Sequence, residues 1–150
     1  MFDFKKQNKV GLKGERFFQE CYPELKAKKP EEDLSFDFIT EEGLKVEIKT
    51  DTYPMEKTGN FFFEYFSDIQ SAKLGGPWRA YDDKVDHFVY LFAQDKTFFW
   101  FHPGKLCKAL EPIIATMRYK TIKNRAWTTT GFAVPRDLVK DLVLRQDTFQ

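Results

Sequence analysis

The chain reads as an α/β or α+β protein, with a central mixed β-sheet and helices packed on it. Three observations predict this. Apolar residues recur at helical spacing near the start, alternating runs flank short turns in the middle, and two later segments of helical pattern each open with a proline.

A helix is expected over residues 11 to 25, where Phe17, Phe18, Cys21, Tyr22 and Leu25 share a face and Pro23 threatens an early end. The polar loop "KAKKPEED" leads into "LSFDFIT" and "LKVEIKT", two alternating runs around "EEG", which is a hairpin signal. "TGNFFFEYFS" reads as a third strand opened by Gly59 and Asn60 and filled with aromatics. "DIQSAKLGGPWRAYDD" has no period and reads as a long irregular connection. "KVDHFVYLF" and "TFFWFH" flank "AQDK" as a second hairpin. "PGKLCKALEPIIATM" opens with Pro103 as a helix does, "TTTGFAV" is the last strand, and Pro135 starts a final helix, "PRDLVKDLVL".

At 150 residues one domain is expected. With 42% hydrophobic residues, 17 of the side chains Phe, and 31% charged, the composition is that of a folded chain with an aromatic core. The net charge of +1 advertises neither nucleic acid nor membrane, so any basic footprint is local. Cys21 and Cys107 lie apart from each other and from His87 and His102, so neither a zinc spacing nor a disulfide framework is present. No run of 18 apolar residues occurs, and a cytoplasmic, intracellular protein without a membrane partner is expected.

The hairpin carries the chemistry. If Glu41, Glu42 and Gly43 form a three-residue loop with Gly43 left-handed, Thr40 pairs with Leu44 and Asp37 with Glu47. Leu34, Phe36, Phe38, Leu44, Val46 and Ile48 then share one face; Ser35, Asp37, Lys45, Glu47 and Lys49 share the other, with Ile39 the exception. One account of the charged face is simple solvation. Against it, two carboxylates opposed across a strand pair repel, and a divalent cation removes the conflict. Lys49 reaches the same point and suits orienting a water or offsetting charge on a phosphate. Glu15, on the helix face of Gly11, Phe18 and Tyr22, borders the packed side; its other reading is a surface pair with Lys13 or Arg16.

These residues carry a family resemblance. "GLKGERFF", "FDF" and "VEIKTD" together resemble the PD-(D/E)XK nuclease superfamily, with a helical Glu at Glu15, a strand Asp at Asp37, and Glu-x-Lys at Glu47 and Lys49. The spacing is similar to that of small phage-type nucleases and Holliday-junction-resolvase-like members. Phe36 stands where the signature has Pro, and the resemblance covers residues 10 to 66. It implies a restriction-endonuclease-like mixed sheet flanked by helices and Mg²⁺-dependent hydrolysis of DNA, with Mn²⁺ able to substitute. Asp37, Glu47 and the carbonyl of Ile48 would be metal ligands, Lys49 would position or activate the water, and Glu15 would assist. Many members work as homodimers.

For DNA, four further features are candidates. Trp78 and Arg79 beside flexible glycines suit base stacking and phosphate contact, against the alternative of a loop pinned by a buried Trp. Arg118, Lys120, Lys123 and Arg125 form a basic patch suited to a phosphate backbone, or a solvated run. Lys26, Lys28 and Lys29 are a weaker patch, and Glu64 is either an additional acid near the site or an edge residue facing water. His87 and His102 read as packing or capping residues. The alternatives to an active nuclease are an inactive nucleic-acid-binding or accessory protein on the same fold, and an interaction protein with a solvated hairpin.

Overall fold

A computed structural model describes residues 4–32, 36–123 and 127–150. The first helix, α1 (Phe4–Cys21), begins about two turns before the sequence pattern suggests and stops just ahead of Pro23, whose missing N–H cannot continue it. A 3₁₀ turn at Pro23–Leu25 closes on Lys26 at φ +47°.

The hairpin forms in the expected register. β1 (Phe38–Ile39) is short and runs antiparallel to β2 (Lys45–Asp51), with Phe38 opposite Val46 and Ile39 opposite Lys45. Gly43 turns the corner at φ +87°, a conformation that suits glycine, and the Thr40 N–H donates to the Leu44 carbonyl at 2.9 Å. Beyond Phe38 the regular pairing ends at the bend, and the Asp37 N–H donates to the Val46 carbonyl at 3.0 Å, which keeps Asp37 close to Glu47.

One part of the alternation fails. The chain bends at Phe36 and Asp37, and Phe36 packs with the opposite core from Phe38 and Val46. Ile39, the apolar exception on the charged face, packs with that same opposite core. The charged face is therefore turned towards a second apolar layer.

That layer is built by the elements that follow. They are β3 (Asn60–Asp68), β4 (Lys73–Leu74), α2 (Gly76–Asp82), β5 (His87–Phe92), β6 (Thr97–Phe101), α3 (Pro103–Leu110), β7 (Arg118–Lys123), β8 (Thr128–Pro135), α4 (Arg136–Val139) and β9 (Val143–Thr148). Two sheets result, one ordered β1-β2-β5-β6-β9 and the other β4-β3-β8-β7. The first is mixed, since β2 and β5 are parallel and its other pairs antiparallel. β5 and β6 lack alternation because both their faces are covered. On one face α1 packs Phe18 and Tyr22 against Val46, Val89, Leu91, Phe98 and Trp100. On the other, Phe88, Tyr90, Phe92, Phe99 and Phe101 meet Phe61 and Phe63 of β3 and residues of α2 and α3.

Two expectations need correction, and one strand is additional to those expected. The connection after β3 holds β4 and α2 instead of an irregular loop. The final helix is one short turn, followed by a 3₁₀ turn and then β9. The "RYKTIK" run is a strand, β7, at the edge of the second sheet. β9 forms because the outer edge of the buried strand β6 carries backbone groups that need partners, and pairing from Thr97 with Thr148 to Phe101 with Val143 supplies them. Among the described residues no helix is long and apolar enough to cross a membrane. Cys21 and Cys107 are free thiols, and burial pushes Cys107 up to about 12.

Candidate carboxylate and lysine site

Neighbours across a sheet share a face, so Glu47, Lys49 and Asp51 stand beside Phe88, Tyr90 and Phe92, all buried between the sheets. Glu47 and Lys49 are both half-buried at the margin of an aromatic layer.

Asp37 is the hub of the acidic group. Its Oδ2 accepts from the Ile48 N–H at 2.8 Å, a bond that ties the bend at Phe36 and Asp37 back to β2. N–H and C=O of one strand residue point the same way, so the Ile48 carbonyl is directed to the side of Asp37 as well. Glu47 and Glu15 both stand close enough to Asp37 to feel its charge. Burial, then the charge of Asp37, push the Glu47 carboxyl up to about 9, with Arg79 opposing and Glu15 adding to the rise. Burial also raises Glu15; Lys29, which pairs with it, works against that rise, and Asp37 adds to it. Gly14 brings α1 close enough to β2 for Glu15 to reach this point, because a methyl group there would overlap the Thr50 side chain.

Lys49 extends from the same face of β2 and pairs with Glu64 of β3 at 3.6 Å. Glu64 sits under the start of α2: a Cβ on Gly76, whose φ is +50°, would lie 2.6 Å from the Glu64 carbonyl oxygen. That close approach brings Arg79, which pairs with Asp83 at 3.4 Å, within electrostatic reach of Glu47.

The remaining candidates divide. Arg118 and Lys120 project from the exposed strand β7 into an open cleft of about 1050 Å³, which Lys49, Glu64 and Arg79 also line. Lys123 is exposed at the end of β7 and is not part of the cleft lining. Arg125 lies outside the described residues. Trp78 is a correction. It is 6% exposed, packed against Tyr65 with ring centroids 4.7 Å apart, and offers no face to a base. In the weaker patch, Lys29 is engaged with Glu15 and Lys26 with Glu41. His102 caps α3 by accepting from the Lys105 N–H at 3.2 Å, and His87 packs on Trp100.

Two residues of the cleft escaped sequence reasoning. The Tyr90 hydroxyl donates to Asp51 and accepts from the Phe62 N–H at 3.0 Å, which ties the two sheets together at the cleft floor. Asp51 was open to detection, because the odd-numbered run of Glu47 and Lys49 simply continues to it. Tyr90 was not, since nothing local separates it from the other aromatics of its strand.

Among the described residues no three His, Cys, Asp or Glu side chains form a ready-made metal cage. The donors present nonetheless suit a hard divalent cation. Two carboxylates and a backbone carbonyl are an oxygen set of the kind Mg²⁺ completes with water and phosphate, and the Glu47 carboxyl is raised by burial first and by the charge of Asp37 second. In comparisons with known proteins the chain matches no family model, no curated protein and no solved structure.

Proposed function

We propose that the protein is a Mg²⁺-dependent nuclease that hydrolyses phosphodiester bonds of DNA, acting as an endonuclease, on a restriction-endonuclease-like fold of the PD-(D/E)XK type. The observation that carries this reading is the approach of Asp37, tied to the Ile48 N–H, to Glu47 on a half-buried strand with Lys49 two residues along. Helical Glu15 at the same carboxylate adds to it, as does a mixed sheet with α1 on one face.

In this reading Asp37, Glu47 and the Ile48 carbonyl hold the cation. When bound, it neutralises the paired carboxylates and stabilises charge on the attacked phosphate. Lys49, steadied by Glu64, positions the attacking water and offsets the same charge. The water oxygen bonds to phosphorus as its proton passes to solvent, the ester P–O bond breaks, and the leaving oxygen takes up a proton from solvent. Glu15 accepts hydrogen bonds from water on the α1 side. Cutting both strands of a duplex takes two such sites, which a symmetric homodimer would supply.

The test is cleavage of supercoiled plasmid and of a synthetic four-way junction in Mg²⁺, Mn²⁺ or EDTA. Wild type cuts with either metal and not with EDTA, while Asp37→Ala and Lys49→Ala lose at least about a hundredfold in rate. Equal inertness of wild type and both variants on every substrate, with the fold intact, would overturn the reading in favour of an inactive binding protein. Preference for the junction would assign a resolving activity.

A further inference from the structure

The cleft beside the carboxylates has a charge and a lining that the proposed chemistry does not use. We infer that it holds a single, unpaired DNA strand whose bases turn inward onto aromatic side chains, so that the substrate is single-stranded or has an unpaired segment. This inference rests on the nuclease reading above.

Charge is the first argument. The chain as a whole carries only +1, yet six Lys and Arg side chains line the cleft against three carboxylates. Those carboxylates are engaged: Asp51 with Tyr90, Glu64 with Lys49, and Asp68 with Ser71. Lys57, Lys73, Arg118 and Lys120 form no ion pair among the described residues. A chain with almost no net charge has thus concentrated these four cations in one concavity, as binding to a polyanion requires.

Aromatic lining is the second. Tyr53, 63% exposed, stands at the cleft beside β2, and Phe62 and Trp127 line it from the second sheet. On that sheet the cleft face pairs Phe62 with Ala133 and Arg118 with Ala133, and Glu64 and Lys120 both with Gly131, so aromatic and basic side chains interleave on one surface. Gly131 makes room: a Cβ there would lie 2.5 Å from the Phe62 ring. Alternating cations and aromatic faces are how proteins hold a strand whose bases are unstacked, because every base offers a π-face. In a duplex those faces are already occupied by neighbouring bases. The cleft is walled by β2, β3, β7 and β8, so a duplex would touch its rim and bring no base to Phe62 or Trp127.

The test uses the whole chain in EDTA, where no cutting is expected, and follows fluorescence anisotropy of a labelled 15-mer oligodeoxynucleotide, free or annealed to its complement. Single strand should bind at least about tenfold tighter than duplex, with log K falling against log salt at a slope of about −3 for four phosphate contacts. Tyr53→Ala and Trp127→Ala should each weaken single-strand binding by about tenfold and leave duplex binding unchanged. Tyr53 is exposed, so its variant is read without concern for folding, and Trp127→Phe should restore most of the affinity. Duplex binding equal to or tighter than single strand, or single-strand affinity indifferent to both alanine variants, would overturn the inference. Because binding is read without metal, this outcome is separate from the cleavage result: an inactive protein that still prefers single strand would sink the nuclease reading alone.

Discussion

Glu47 shows how a register creates a chemical demand. The turn at Gly43 brings β2 alongside the segment that carries Asp37, and the aromatic layer beside β5 removes the water that would screen two negative charges. Burial first, then the charge of Asp37, push the Glu47 carboxyl up to about 9. The folded state then binds more protons than the unfolded chain between the ordinary carboxyl range and about 9, so stability falls as pH rises through that window. Thermal unfolding in EDTA should show this as a lower unfolding temperature at about pH 9 than at about pH 5, and Glu47→Gln should flatten the difference. A second prediction concerns Lys49. Glu64→Gln keeps the shape of its partner and removes the charge, and should lower the cleavage rate about tenfold with a displaced pH profile, while the unfolding temperature moves little. The neighbouring acids were legible because turn chemistry and a two-residue period are local. Their burial was not: it depends on β3 and β8 returning over the same face. For Trp78 the alternative of a buried Trp is the one that holds, and its flanking glycines allow α2 to press onto β3.

At the scale of elements, two glycines set the distances on which the site depends. Gly14 seats α1 on β2, and Gly14→Ala should push the helix outward, costing about 2 kcal/mol in denaturant unfolding and loosening Glu15 from Asp37. Gly76 occupies a left-handed conformation against the Glu64 backbone, so Gly76→Ala meets both strain and overlap and should cost at least as much. α1, the first hairpin, β3, β5, β6, α3 and β8 were readable because each announces itself through periodicity, a turn or an initial proline. β7 and β9 were not. Both are exposed over most of their length, and their extended form comes from the strands beside them, β8 and β6, with little local preference to mark it.

For the molecule as a whole, the mixed sheet anchors the carboxylates while the second sheet shapes what approaches them. A nearly neutral chain gathers cations in the cleft between these parts, where the sum of charges gave no hint of it. The claim on which everything else rests is that Asp37 and Glu47 are brought together in order to hold a divalent cation. Calorimetric titration with Mn²⁺ at pH 7, in two buffers of different ionisation enthalpy, tests it directly. The account predicts one ion bound per chain with release of about one proton as Glu47 ionises, and loss of that binding in Asp37→Ala and Glu47→Gln. Binding no stronger than an ordinary acidic surface gives, or binding that both variants leave unchanged, would contradict it.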